Sequence, residues 1–278
     1  MRDRVRIVVL VLALGIGAAV AWGAWWDGFG RQLDRAGALA FKERWAEAAA
    51  AYRAIIASAD PVEEREVWLE AHARLADVTW MGLSDERGAA EIYRAMIERA
   101  PRAEQSWIAR ERLAEIADRH FGDVHEAIAH WQALAGSGRP NAQAFAWKVA
   151  KAYFRIGDYD QVRQECESIV HRWPDGEFAD DAMLLIGTAW QFEGRHEEAI
   201  AAFEAAEARF AGTETAARAR YQIGQSRASL RDWEGAQAAL LEALETHPDP
   251  FRVQADLARV QKHLAEQREG LREVGRFR

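Results

Sequence analysis

The chain has 278 residues, half of them hydrophobic and 29% charged, with six prolines, one cysteine and a formal net charge of −8. So apolar a composition excludes a disordered chain, and the acidic balance argues against a nucleic-acid-binding surface. The single cysteine, Cys166, excludes an intrachain disulfide and a cysteine-built zinc framework, and leaves the compartment open. Alanine, glutamate, arginine and leucine dominate and no alternating β-branched run stands out, so the expected class is all-α.

At the N-terminus, Ile7 to Trp26 (IVVLVLALGIGAAVAWGAWW) is 20 residues without a charge, enough for one helix to cross a bilayer. Arg2, Arg4 and Arg6 precede it, and the positive-inside rule keeps them cytoplasmic; Trp22, Trp25 and Trp26 stand where an interfacial aromatic belt belongs. The expectation is a cytoplasmic stub and single transmembrane anchor over residues 1–26, in the inner (cytoplasmic) membrane, with the rest of the chain periplasmic. The alternative is a signal peptide cut at Ala19-Val20-Ala21 and release to the periplasm. The length of the apolar stretch and the tryptophans beyond that cut favour the anchor. No cysteine follows it, so a lipoprotein is excluded. Ala13, Gly17 and Ala21 form a stripe of small residues on which two anchors can pack, a hint of homodimerisation that nothing else supports.

Residues 27–34 read as a short connection, and residues 35–250 as an array of repeats. The stretch YFRIGDYDQVRQECESIVHRWP (Tyr153–Pro174) aligns with Trp190–Ala211 and with Arg227–Pro248. The turn residues Gly157, Gly194 and Arg231 fall 37 apart, as do the small positions Val162, Ala199 and Ala236 and the bulky ones Cys166, Phe203 and Leu240. Upstream, Ala127 with Trp131, Ala89 with Tyr93 and Ala48 with Tyr52 occupy the same two positions, so the small positions step by 41, 38, 35, 37 and 37 residues. One hairpin cannot bury its apolar stripe alone, so neighbours share a core. The expectation is that the small residues let two helices approach, the bulky ones fill the groove toward the next unit, and Pro174 and Pro248 stop their helices. Residues 251–278 read as a helix with charged outer faces that caps the array, followed by a tail.

This pattern resembles the tetratricopeptide repeat, a helix–turn–helix unit, with Gly187 and Gly224 on the first helices of their units and Pro101, Pro174 and Pro248 at second-helix ends. The usual tryptophan of the first helix is absent, with Ala146, Met183 and Arg220 in its place, and the first two units match poorly in their first helices. The resemblance implies an α-solenoid of about six hairpins whose first helices line a concave face for partner segments. Carried over by register, that face comprises Arg112, Ile116 and Arg119 in the third unit and Trp147, Lys151, Phe154 and Arg155 in the fourth. The fifth adds Leu184, Thr188, Gln191 and Phe192, and the sixth Arg218, Tyr221 and Gln225. Aromatic and cationic types dominate interface hot spots, so the expected ligand is a partner segment with apolar anchors and acidic groups. Packing between helices is the competing reading for Trp147 and Phe154. The asparagine–lysine constellation of a two-carboxylate clamp is missing, and that ligand is not expected.

No nucleophile motif, P-loop or dinucleotide fingerprint occurs, so an enzyme and a cofactor are not expected. His120, His125 and His130 are spaced by five, which does not stack them on one helix face, and a metal site is not expected. Cys166 stands where other units carry Phe, Trp, Tyr or Leu and reads as a small core residue. The 37-residue period with trailing Trp173-Pro174 and His247-Pro248 resembles bacterial envelope tetratricopeptide proteins. These include the Tol–Pal-associated cell-division coordinator, the outer-membrane assembly lipoprotein and the Sec-translocon ancillary type. The function implied is a non-catalytic, membrane-anchored scaffold binding other envelope proteins or peptide segments. A chaperone- or translocon-associated subunit that holds exported chains, and a non-catalytic subunit of an envelope polysaccharide or peptidoglycan machine, remain open beside it.

Overall fold

The computed structural model describes residues 28–276; the expected anchor at 7–26 lies outside them. Among the described residues no helix is long and apolar enough to cross a membrane. The described chain is all-helical. Residues 28–130 form one compact unit and those from Trp131 a second, the division falling within a helix.

Unit one holds α1 (28–41), α2 (Trp45–Ser58), α3 (Arg65–Asp77), α4 (Glu86–Arg99), α5 (Glu104–Ile116) and the start of α6 (Val124–Ala135). Two π-helical turns, Val78–Gly82 and Ala117–Phe121, extend α3 and α5. Residues 28–34, expected as a connection, are instead the opening turns of α1, which places Phe29 in a core with Ala36, Ala48, Tyr52 and Ile55. Unit two continues with α7 (Ala142–Ile156), α8 (Tyr159–Arg172), α9 (Ala179–Phe192), α10 (His196–Arg209), α11 (Glu214–Ser229), α12 (Trp233–Leu244) and α13 (Pro250–Arg276).

The turns explain why the helices fold as pairs. Glu43, Ser84, Gly122, Gly157, Gly194 and Arg231 all have φ between 52° and 78°, at the same intervals as the small positions five residues later. One left-handed residue ends each first helix, and the next begins the second. That next residue is an aspartate in four hairpins, and Asp85, Asp123, Asp158 and Asp232 each accept from a backbone N–H three residues on. In the other two it is Arg44 or Arg195, whose guanidinium pairs with Glu47 or Glu198 instead. The first two hairpins, faint in sequence, thus have the same construction. Arg231 adopts a conformation that costs a side-chain-bearing residue about 1–2 kcal/mol, so Arg231→Gly is expected to stabilise the protein by about 1 kcal/mol in chemical denaturation.

All six small positions are fully buried, and the bulky positions four later are buried with them. The packing is not only toward the next unit, as spacing had suggested. Phe203 lies over Gly187 of its own hairpin, where a built Cβ would come within 2.5 Å of the ring, and also shares a cluster with Ala219 and Ile223 of α11. Leu240 stands over Gly224 in the same way. At the equivalent sites of α7 and α8 the pair is Ala150 and Cys166, both fully buried: a larger residue on one helix accompanies a smaller one on the other. Burial pushes the Cys166 thiol far above its ordinary value, so it is inert packing. Pro174 stands two residues past the end of α8, after Trp173, but α12 ends at Leu244, well before Pro248. Pro250 instead opens α13, which buries Val253, Leu257, Val260 and Leu264 against Tyr221, Ala236, Leu240 and Ala243.

Two histidines of unit one make its stability pH-dependent. Burial holds His72 and His130 below the ordinary value of 6.5, and His130 Nδ1 is buried without a hydrogen-bond partner. Glu126 opposes the shift at His130, while Arg110 and Arg94 add to it. Depressed folded values mean that the unfolded chain takes up the protons first. The stability is therefore complete above 6.5 and is lost as pH falls through the lower folded values. Denaturation midpoints are expected to drop on acidification from neutral pH to about 5. The drop should be smaller in a His72→Gln, His130→Gln variant.

Candidate functional site

In unit one, Arg112 lies over the Trp80 ring at 5.7 Å, and Trp80 meets His120 edge-on at 6.1 Å. Both rings belong to the π-helical turns. Arg119 is exposed and pairs with Glu115 at 2.8 Å. Ile116 is not on an open face: it is fully buried in the core of α4 and α5. His120 faces Glu86 and His130 faces Glu126, and no group of side chains able to hold a metal occurs among the described residues.

In unit two the register places Trp147, Leu184 and Tyr221 at one position of successive first helices, and Lys151, Thr188 and Gln225 one turn later. Their surroundings differ. Trp147 is partly exposed, stacks on Phe178 at 5.8 Å and carries Lys151 Nζ over its ring at 5.5 Å. Phe154 is partly buried between Tyr159 at 5.6 Å and Phe192 at 5.0 Å, while Arg155 beside it is exposed. The helix-packing reading therefore holds in part for both aromatics. Leu184 packs against the core of α10 and α11, and Thr188 Oγ1 donates back to the Leu184 carbonyl. Tyr221 is corrected: only 3% exposed, it lies under α13, where its hydroxyl donates to Asp256 at 2.6 Å and accepts from Arg252 at 2.9 Å.

The cations of this face are largely matched. Arg218 pairs with Glu214 at 2.5 Å and approaches Asp181 at 3.9 Å. Partial burial and the adjacent Asp180 push the Asp181 carboxyl up, while Arg218 and Lys151 pull it the other way.

Gln191, Phe192 and Gln225 come together in a cleft of about 690 Å³ between α9, α11 and α13. Gly224 and Ala228 keep the α11 wall low, Leu240 and Trp233 close it from α12, and Asp256, Arg259, Val260 and His263 form the α13 wall. Phe192 stands at its rim, 63% exposed. Asp256 is buried and bound by Tyr221, Gln225 and Arg259; Trp233 stacks on His263 at 4.6 Å. His196 also lines the cleft, with its Nδ1 buried and unpartnered. Sequence reading missed this wall because α13 reads as a cap. The available signal was Asp256, a carboxylate on the apolar stripe of Val253, Leu257 and Val260.

Residues 218–250 match the tetratricopeptide repeat family profile. No curated protein sequence matches the chain. Among solved structures, it is similar to the C-terminal part of a tetratricopeptide-repeat-containing protein from Cytophaga hutchinsonii. The TM-score is 0.52 at 14% identity, over 84% of this chain and 86% of that one. It is also similar to Naa15/Naa10 bound to HypK-THB, with a TM-score of 0.56 at 14% identity, over 87% of this chain and 35% of that one. Residues 218–250 thus form a tetratricopeptide repeat within an all-helical fold of tetratricopeptide type.

Proposed function

We propose that the protein is a non-catalytic scaffold that binds segments of partner proteins on the first-helix face of unit two. The observation that carries this reading is the α9–α11–α13 cleft, of a size that suits ligands, with the aromatic Phe192 left exposed on its rim. Apolar anchors are what that rim accommodates. An acidic partner has less support than charge interleaving alone suggested, because Arg218 and Lys151 are answered by Asp181 and Glu214.

Anchoring in the inner membrane, with the repeats outside the cytoplasm, is the setting this proposal adopts from the uncharged stretch Ile7–Trp26 behind three arginines. The test is in-cell crosslinking and pulldown of the full-length protein beside a Trp147→Ala, Phe154→Ala variant, with protease protection of spheroplasts to read topology. A discrete envelope protein, captured by the wild type and lost in a variant that still folds, is the expected result. A broad set of exported proteins would replace the scaffold by a chaperone-type subunit. Capture that is equal in both would remove Trp147 and Phe154 from the binding site, and equal capture by a Phe192→Ala variant as well would remove the face as a whole.

A further inference from the structure

We infer that the α9–α11–α13 cleft takes an uncharged, extended peptide segment, with its main-chain N–H groups on the amide oxygens of Gln191 and Gln225 and one large apolar side chain beside Phe192. The inference rests on the reading that unit two binds partner segments, and narrows it. Gln225 Nε2 donates to the Tyr221 hydroxyl at 2.7 Å and to Asp256 Oδ2 at 3.0 Å. Gln191 Nε2 donates to the Gln222 carbonyl at 3.2 Å and to Ser226 Oγ at 2.8 Å. A carboxylate and a backbone carbonyl can only accept, so each NH₂ is committed to the surrounding helices and each Oε1 is turned from them. Neither Oε1 receives a bond from any described residue, and both side chains line the cleft.

Two acceptors left free of the surrounding helices can take donors, and a polypeptide main chain in extended form supplies an N–H at nearly every residue. The buried carboxylate of the wall is answered within it, Asp256 by Arg259, and His263 contacts Glu266 at 3.3 Å. A carboxylate brought here would lose water without finding an unmatched cation, so the site disfavours acidic segments. The remaining lining, Phe192, Trp233, Leu240 and Val260, suits an aromatic or large aliphatic side chain.

The experiment is selection of a random peptide phage library, roughly a dozen residues long, on the full-length protein in detergent micelles. Selected peptides are expected to share one large apolar residue without enrichment of Asp or Glu, and to bind almost independently of salt. Their affinity should fall about tenfold or more in Phe192→Ala, and likewise when a main-chain nitrogen next to the anchor is methylated. Phe192 is exposed, so its truncation leaves the fold intact, which circular dichroism verifies. Acidic peptides whose binding fades with salt and survives N-methylation would overturn the inference while keeping unit two as the binding unit. Peptides lost in Trp147→Ala, Phe154→Ala but retained in Phe192→Ala would do the same. If no peptide is enriched and crosslinking also captures no discrete partner, the underlying reading falls and takes this inference with it.

Discussion

Phe203→Ala is expected to lower the unfolding free energy by about 3–5 kcal/mol, placing it among the most damaging single truncations in unit two. The ring is fully buried and spans three elements, lying over Gly187 of α9 while sharing a cluster with Ala219 and Ile223 of α11. Neither helix can collapse into the void without leaving the other. The converse change, Gly187→Ala, adds only a methyl group, yet that carbon would stand 2.5–2.7 Å from three ring atoms of a side chain with nowhere to move. A helix propensity gain of about 1 kcal/mol favours the alanine. Overpacking of about 1–3 kcal/mol opposes it and is expected to prevail. The two sites should be coupled. In a Phe203→Cys background, Gly187→Ala reproduces the Ala150–Cys166 pair of the preceding hairpin and is expected to be neutral or stabilising. Urea denaturation of the four proteins closes the cycle, and additive effects would show that the size exchange between helices is not what packs these hairpins.

Arg163→Ala is expected to cost about 2–3 kcal/mol, the second large effect. Its side chain is only 8% exposed, donates to Glu193 at 2.7 Å and pairs with Asp160. The guanidinium also lies 3.5 Å from the centre of the Trp190 ring, and Arg195 approaches the same ring at 4.0 Å. The tryptophan is thus held by two cations from α8 and from the turn before α10. Glu193 and Asp160 retain access to water, so much of the loss is stacking and packing rather than stranded charge. Arg163→Met, which keeps the volume over Trp190, should lose clearly less than Arg163→Ala. Arg163→Lys should lose more than its retained charge suggests, because an ammonium cannot lie flat on the ring. Equal stabilities for the methionine and alanine variants would place the effect in the ion pairs instead.

The legible part of the fold was the part encoded locally. The small and bulky positions were read from spacing in all six hairpins, and their burial follows from the same spacing. Even the two faint hairpins carry a left-handed residue at the expected interval, although Glu43 and Ser84 are not glycine and so gave no signal. Residues 28–34 were misread as a connection because their glycines suggested one, whereas burial of Phe29 against α2 overrides propensity. The candidate face was legible as a register but not as a surface. Trp147, Lys151, Phe192 and Arg218 are accessible to differing degrees, and Ile116 is not.

By itself, then, the sequence determined which residues approach and which fill, because a helical hairpin is specified by contacts within about forty residues and repeats of it impose the same contacts. Tertiary structure alone decided which members of one register remain open. Trp147, Leu184 and Tyr221 are equivalent by spacing, but only Tyr221 meets α13, whose Asp256 and Arg252 draw its hydroxyl inward. The same helix, packed against α11 and α12, raises the wall that turns a row of first-helix residues into a cleft. Spacing along the chain carries no record of that, since the residues concerned lie on separate helices and meet only when α13 docks.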